Sequence, residues 1–293
     1  MTNPKLHNQL EVYLYDDYSV PTAKSYLHLI KRFWRIYPNA EHLTLKDIET
    51  YFLSLKQQRK SISYRVVILS AIKVFYSFLM FKKIIKYHPC NSYFISEKKP
   101  SGLNFNRLLS MEEMELLFKL KQNRYKNLLN RDKVIIGLLI YQGITSQELV
   151  NIKSHHYDNG TIFIKGDRNR LSRTIELKSV QMEPMLNYIA DERPKLLKVK
   201  TNRLILSIRG VKTSVDSIHA MINGLSGAFE KEVSPANIRK SVISYWINDR
   251  GFKLEDVQIM AGHKYPSSTQ KYIRINSEKQ REVMTKLHEG IFN

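Results

Sequence analysis

The chain has a single cysteine, Cys90, among its 293 residues. One thiol excludes an intramolecular disulfide framework and is typical of a protein of the reducing cytoplasm. Acidic residues are also scarce, with 27 Asp and Glu against 47 Lys and Arg, so the formal net charge is +20. A positive charge of this size predicts a polyanionic partner.

Other familiar signals are missing as well. The first residues lack the charged-then-apolar pattern of a signal peptide, and polar residues interrupt the most apolar run, 66–81, which favours a buried helix over a membrane span. There is no phosphate loop of the G-x-x-x-x-G-K-[ST] type and no G-x-S-x-G serine elbow, and the pair His155-His156 lacks the companions of a metal site. We therefore expect no membrane, no metal and no cofactor.

The positive charge is spread over the whole chain. Residues 1–97 carry 14 Lys and Arg against 7 acidic residues, and residues 98–293 carry 33 against 20. This distribution predicts that both halves contact one nucleic acid. The alternative is a generally basic protein from a lysine-rich proteome.

Helical periodicity dominates the first ninety residues. Apolar residues recur at helical spacing over 5–15, after the start signal Ser19-Val20-Pro21-Thr22, after Thr44, and over 64–85. Four helices joined by short polar turns predict a compact bundle. Residues 96–109 then have the Pro, Gly, Ser and Lys content of an exposed linker, which is either a plain hinge or a segment that follows a phosphate backbone.

The remainder is mostly helical with a small sheet. Capping boxes at 110–113 and 145–148 predict helix starts, and the apolar stretch 132–141 predicts a buried helix. Residues 161–165 and 173–177 are predicted strands, with 166–172 as the loop between them.

The stretch 233–273 carries the residues suited to phosphate chemistry. Ser234 is a predicted N-cap and Pro235 the first residue of a helix that holds Arg239 one turn inside. A second helix ends at Gly262-His263, and Tyr272 follows nine residues after the histidine. An arginine can grip a phosphate, a histidine can donate a hydrogen bond or a proton, and a phenol can attack phosphorus.

This stretch resembles the C-terminal half of the tyrosine recombinase (phage-integrase and Xer-type) catalytic domain. That family has H-x-x-R on one helix, G-H or G-W at the end of a later helix, and a nucleophilic tyrosine about nine residues on. Arg239 matches the second family arginine, Gly262-His263 the second box, and Tyr272 the nucleophile within the T-Q-x-Y pattern. Tyr265 is the competing tyrosine, and the spacing favours Tyr272.

Two positions depart from the family pattern. The first family box, T-G-L-R-x-S-E-L, aligns with QGITSQEL, so Thr145 stands where the first arginine is expected, and Ala236 stands in place of the first histidine. A hydroxyl delivers neither a charge nor a fork of donors, whereas Thr145 with Glu148 makes a good N-cap. Arg168, Arg170 or Arg173 could supply the missing guanidinium.

The resemblance also implies a lysine on a β-hairpin. Lys165 fits by residue type and Arg168 by position, and both remain open as the catalytic cation; a solvated basic loop is the alternative. Lys240 occupies a position that family members often fill with histidine. The residues expected to bind DNA are Lys240, Arg170, Arg173, Lys98 and Lys99.

The resemblance implies a mainly α protein with the DNA breaking-rejoining fold. Residues 1–95 would form a four-helix core-binding (SAM-like) domain, 96–109 a linker, and 110–293 a mostly helical catalytic domain with a small antiparallel sheet. A last helix over 277–289 would dock on a neighbouring subunit, with Leu287, Ile291 and Phe292 as candidate anchors.

The implied function is that of a site-specific DNA recombinase or integrase of a mobile genetic element. It would cut and rejoin double-stranded DNA through a 3′-phosphotyrosine intermediate, as a homotetramer on paired sites, in the cytoplasm at the nucleoid. It would act alone or with an accessory or partner recombinase. The alternative is a catalytically impaired DNA-binding relative that serves an active recombinase as an architectural or regulatory partner.

Overall fold

A computed structural model of the protein describes residues 4–97, 103–120 and 128–274. The chain divides into two compact units, Met1–Ser101 and Gly102–Asn293. Lys98, Lys99 and the predicted helix over 277–289 lie outside the described residues, as do its anchors Leu287, Ile291 and Phe292. The assignment of the first unit to DNA binding and of the second to catalysis stays a prediction.

The first unit is a bundle of four helices, as predicted. These are α1 (Pro4–Asp17), α2 (Val20–Ile36), α3 (Leu45–Gln57) and α4 (Ile62–Phe81). Thr44 and Asp47 form the capping box of α3, and Ser61 caps α4. Helix α4 ends earlier than the predicted residue 85, because Lys83 adopts a left-handed φ of 56° that no helix can continue through.

Helix α4 passes a length-and-composition test for a membrane span, with a mean hydropathy of 1.6. Half of that apolar window is buried inside the unit, where Ile72, Phe75 and Phe78 pack in a core shared with α1 and α2. A helix buried in this way needs an apolar composition, which accounts for its hydropathy.

The described residues of the second unit form nine α-helices. They are α5 (Met111–Lys119), α6 (Leu129–Gln142), α7 (Ser146–Asn151), α8 (Ser179–Asn187), α9 (Arg193–Leu196), α10 (Val215–Asn223), α11 (Pro235–Asn248), α12 (Leu254–Ala261) and α13 (Ser267–Gln270). Helix α6 is the centre of the core and packs against α5, α8 and α11. Its all-round apolar sequence predicts this position, since a helix covered on every side has no polar face to keep.

A three-stranded antiparallel sheet lies beside these helices. Its strands, in the order β1-β2-β3, are β1 (Tyr157–Asp158), β2 (Thr161–Ile164) and β3 (Arg173–Glu176). The β2–β3 hairpin agrees with the prediction, and its register pairs Ile164 with Arg173. The two-residue strand β1 was not predicted, because two residues are too few to show an alternating pattern.

Candidate active site

Arg239 is held in the interior of the second unit by α11. Ser234 accepts a hydrogen bond from the amide of Asn237 (3.2 Å), which starts the helix at Pro235 and places Arg239 one turn later. The side chain is 9% exposed. Its Nη2 donates to the carbonyl of Ala261 at 2.6 Å, and its Nη1 donates to the carbonyl of Gly143.

Both of those carbonyls lie at helix C-termini. Gly143 (φ 56°) follows the last residue of α6 and Gly262 (φ 66°) follows the last residue of α12, each in the left-handed conformation that closes a helix. The last carbonyls of a helix lack intrahelical partners and carry partial negative charge, so a guanidinium is a favourable neighbour. Burial lowers the pKa of Arg239 to about 10, and Arg239 therefore remains charged at neutral pH.

His263 follows directly after the end of α12. Its amide donates to the carbonyl of Gln258 (2.9 Å), and its Nδ1 lies 2.8 Å from Oγ1 of Thr269, which is fully buried on α13. Burial lowers the pKa of His263 to about 4, and the charges of Arg239, Lys271 and other cations act in the same direction. The imidazole is thus neutral at pH 7, with Nε2 remaining for a further partner.

Tyr272 lies beside this histidine in the apolar core. The two rings stack with centroids 6.1 Å apart and an interplanar angle of 14°. The tyrosine is 6% exposed, and its backbone is held by hydrogen bonds from its amide to Thr269 (3.0 Å) and from Asn248 to its carbonyl (2.8 Å). Burial raises the pKa of the Tyr272 phenol, and the positive charge of Arg239 opposes this rise.

The three residues selected from the sequence are therefore brought together. Arg239 contacts the residue before Gly262, His263 follows that glycine, and Tyr272 stacks on His263. Lys271 adds a charge whose Nζ lies 5.4 Å from the centre of the Tyr272 ring. The site thus combines a neutral imidazole and a phenol with a protonated guanidinium.

The β2–β3 hairpin contacts the same place. The amide of Leu171 donates to the carbonyl of Gly262 (3.1 Å), and Arg170 pairs with His263 in an isolated β-bridge. Arg170 is partly exposed and its guanidinium contacts Asp167 at 3.2 Å. Arg173 is 5% exposed and forms a buried ion pair with Glu148 at 2.7 Å.

The other predicted cations lie at the surface. Lys165 and Arg168 are exposed on the hairpin, and Lys240 is exposed on α11 one residue after the buried Arg239. Lys165 lies near His156, whose pKa is lowered by burial and by several neighbouring charges, Lys165 among them. The catalytic assignment of Lys165 or Arg168, and the DNA-binding assignment of Lys240, stay predictions.

Two residues of the site were missed by the sequence reasoning. Thr269 orients His263 through its hydroxyl, although its pattern T-Q-x-Y indicated only the nucleophile. Glu148 was interpreted only as a helix cap, but it also pairs with Arg173. Burial raises the pKa of Glu148, but the hydrogen bond and charge of Arg173, together with the Thr145 amide and the charge of Arg239, outweigh burial, so the pKa falls below its usual value.

Within the described ranges, no group of three or more His, Cys, Asp or Glu side chains is placed to hold a metal ion. The functional groups that converge are instead the guanidiniums, the imidazole and the phenol. Such a set can bind the anionic oxygens of a phosphate and place a nucleophile against its phosphorus. These are the functional groups that a phosphoryl-transfer site needs.

Known protein families match both units of the chain. The profile of the phage integrase family matches residues 107–279, and that of the phage integrase N-terminal SAM-like domain matches residues 6–85. Tyrosine recombinase XerC of Anoxybacillus flavithermus is 27% identical over 284 residues, which are 93% of each chain. XerC of Staphylococcus aureus is 29% identical over 287 residues, 93% of this chain and 92% of the relative.

Solved structures share the fold at low sequence identity. The XerH site-specific recombinase bound to its difH substrate superimposes with a TM-score of 0.68 at 17% identity, covering 91% of this chain and 81% of that one. A lambda integrase dimer bound to a COC′ core site gives 0.70 at 14% identity, covering 94% and 80%.

The fold and the converging side chains define the class of DNA-breaking and DNA-rejoining enzymes that use a tyrosine. The chain belongs to the phage integrase family, the tyrosine recombinases, with matches to both the catalytic and the N-terminal SAM-like parts. Xer-type recombinases are among its similar relatives.

Proposed function

We propose that the protein is a site-specific DNA recombinase in which Tyr272 is the nucleophile. The observation that carries this proposal is the packing of the Tyr272 phenol against His263 beside the buried guanidinium of Arg239. A tyrosine in an ordinary core has no need of two such neighbours, since each costs desolvation energy to bury.

The chemical step follows from these groups. The Tyr272 oxygen attacks the scissile phosphorus and gives up its proton to water, and the bond from phosphorus to the 5′ oxygen breaks. The products are a 3′-phosphotyrosine and a free 5′-hydroxyl, and the reverse attack by a 5′-hydroxyl rejoins a strand. The energy of the broken phosphodiester bond is retained in the phosphotyrosine bond, so the reaction needs no ATP.

Arg239 and His263 stabilise the negative charge that develops on the non-bridging oxygens of the phosphate. Two of the five N–H groups of Arg239 bind carbonyls, which fixes the guanidinium and leaves further donors for a phosphate. The neutral His263 offers Nε2, because Nδ1 is engaged by Thr269. The leaving 5′ oxygen needs a proton, and we assign its delivery to the hairpin cation Lys165. Arg168 is the alternative cation by position, and it would stabilise the leaving oxygen by hydrogen bonds and charge, because a guanidinium does not release its proton.

The buried phenol has to emerge before it can attack. The short helix α13 and the residues after it are held to the core by the Thr269 and Asn248 contacts, so their displacement would release Tyr272. We propose that binding to paired DNA sites brings this about in a homotetramer, alone or with a partner recombinase. Lambda integrase, which has this fold, has been crystallised as a tetramer on a Holliday junction.

Covalent capture tests the proposal. Duplexes selected by binding from a random-sequence pool, then nicked next to the cleavage position so that the freed strand diffuses away, should trap a protein–DNA adduct. We expect Tyr272→Phe to abolish the adduct and Tyr265→Phe to retain it, since Tyr265 is 60% exposed and outside the site. Tight binding of the selected DNA without any adduct would contradict the proposal and favour the non-catalytic DNA-binding relative.

A further inference from the structure

Thr145 cannot supply the charge that its position in the family box calls for. Its amide and its hydroxyl both donate to Oε2 of Glu148, at 2.8 and 2.9 Å, and the amide of Glu148 donates back to the hydroxyl at 3.2 Å. The residue is thus fully engaged as the N-cap of α7. A second phosphate-binding cation has to come from elsewhere in the fold.

Arg173 on β3 is buried with one nitrogen unsatisfied. Its Nε donates to the carbonyl of Met260 (2.8 Å) and its Nη1 to Oε1 of Glu148 (2.7 Å). Among the described residues, Nη2 has no hydrogen-bond partner although it is inaccessible to solvent. A buried charged donor without an acceptor is costly and rare, so it indicates a place where an acceptor binds during function.

The guanidinium of Arg173 lies at the same helix end as that of Arg239. Arg173 binds the carbonyl of Met260, and Arg239 binds the carbonyl of the next residue, Ala261. The charge of Arg173 also lowers the pKa of both Arg239 and His263, after the larger effect of burial. The two guanidiniums are therefore neighbours across the last turn of α12.

Glu148 connects Arg173 to Thr145, the position where the family's first arginine is missing. A single carboxylate binds Thr145 through Oε2 and Arg173 through Oε1. The β2–β3 hairpin thereby places the guanidinium of Arg173 against Glu148, the carboxylate that binds Thr145 at the family's first arginine position. Arg173 binds this buried carboxylate directly, and the buried Arg239 lies close enough for its charge to lower the pKa of Glu148. Two guanidiniums against one carboxylate leave one positive charge in excess, which a phosphate would balance.

We propose that Arg173 is the second phosphate-binding guanidinium of the site and substitutes for the arginine that Thr145 replaces. The inference rests on the proposed function. Solvent does not reach Nη2 in this conformation, so the same opening of the site that releases Tyr272 would have to expose it. Nη2 would then donate to a non-bridging oxygen of the scissile phosphate, while the bonds to Glu148 and Met260 orient the guanidinium. The alternative is a purely structural ion pair between β3 and α7.

A substrate with a methylphosphonate at the scissile position separates the two roles. A methyl group in place of one non-bridging oxygen removes the negative charge that the second guanidinium neutralises. We expect Arg173→Gln to slow adduct formation on the normal phosphodiester by about 10²–10³-fold, as for the loss of one oxyanion donor. On the methylphosphonate the same variant should stay within about tenfold of wild type, because the charge to be neutralised is absent.

The matched control is Arg131→Gln. Arg131 also forms a buried ion pair, with Asp132 at 2.5 Å, and binds the carbonyl of Leu206 rather than any residue of the site. Its loss should affect both substrates equally. If Arg173→Gln does not fold, the double variant Glu148→Gln/Arg173→Gln is used in its place, because two glutamines keep a neutral hydrogen-bonded pair at these positions.

A second measurement uses Thr145→Arg. If Arg173 already fills the phosphate site, this variant should leave adduct formation within a few-fold of wild type, whereas a rise of tenfold or more would overturn the inference. Equal losses by Arg173→Gln on both substrates would also overturn it, since a structural ion pair does not sense the substrate's charge. Absence of any wild-type adduct would instead contradict the proposed function itself.

Discussion

Gly262 separates the end of α12 from His263, and its replacement by alanine measures how firmly Arg173 is held. The glycine has a φ of 66°, and a Cβ added there would lie 2.3 Å from Nη1 and 2.9 Å from Cζ of Arg173. These separations are far below contact distance, so the guanidinium has to move. The atom that the Cβ would meet, Nη1, is the one that binds Glu148, and both side chains are at most 4% exposed, so this movement is expected to break the ion pair.

The expected cost combines two effects. The left-handed conformation penalises any residue with a Cβ by about 1–2 kcal/mol. Loss of the charged hydrogen bond between Arg173 and Glu148 adds about 1.5–3 kcal/mol. Gly262→Ala should therefore lower the free energy of unfolding of the second unit by about 2.5–5 kcal/mol.

Gly251 provides a matched control, since it has the same φ of 66° and nothing within 4 Å of an added Cβ. Gly251→Ala should show the backbone strain alone, about 1–2 kcal/mol.

Urea unfolding followed by tryptophan fluorescence in a Trp34→Phe background reports on the second unit alone, because the chain has two tryptophans and the other is Trp246. In an Arg173→Ala background, Gly262→Ala should cost no more than Gly251→Ala. Equal costs already in the wild-type background would refute the close approach of Arg173 to Gly262.

Three further results are expected. Thr145→Ala should lower the free energy of unfolding by about 1 kcal/mol through loss of the α7 cap, with Thr145→Ser retaining it in the same urea titration. His263 has a folded pKa of about 4, below its unfolded value, so its contribution to stability is complete above the unfolded pKa and should be lost as the pH falls towards 4; NMR titration of the ring and comparison with His263→Gln check this. Asn248→Asp removes the donor to the Tyr272 carbonyl but keeps the acceptor for the Arg274 amide, and limited proteolysis after residue 270 should become faster than in wild type.

Helix starts and the nucleophile segment were predictable from the sequence because their signals are local. The capping boxes Ser110/Glu113 and Thr145/Glu148 lie three residues apart, and both form as expected. The spacing of Gly262-His263 and Tyr272 likewise lies within one short segment, whose residues the fold brings together.

The sequence names Arg173 as one of three candidates for the missing guanidinium, but its ion pair with Glu148 could not be predicted in the same way. Their ion pair joins residues 25 positions apart, and the bond from Arg173 to Met260 spans 87. Such contacts leave no periodic pattern in either segment, and a basic residue on a hairpin resembles a solvated one until the fold covers it. The burial of Tyr272 was hidden for the same reason.

The identity of the residue that becomes linked to DNA tests the central claim most directly. The adduct trapped on a nicked duplex can be digested with trypsin and nuclease and its modified peptide sequenced by mass spectrometry. We expect a nucleotide attached through its 3′-phosphate to the phenolic oxygen of Tyr272. Attachment to Tyr265 or to any other side chain, or a linkage through a 5′-phosphate, would contradict it.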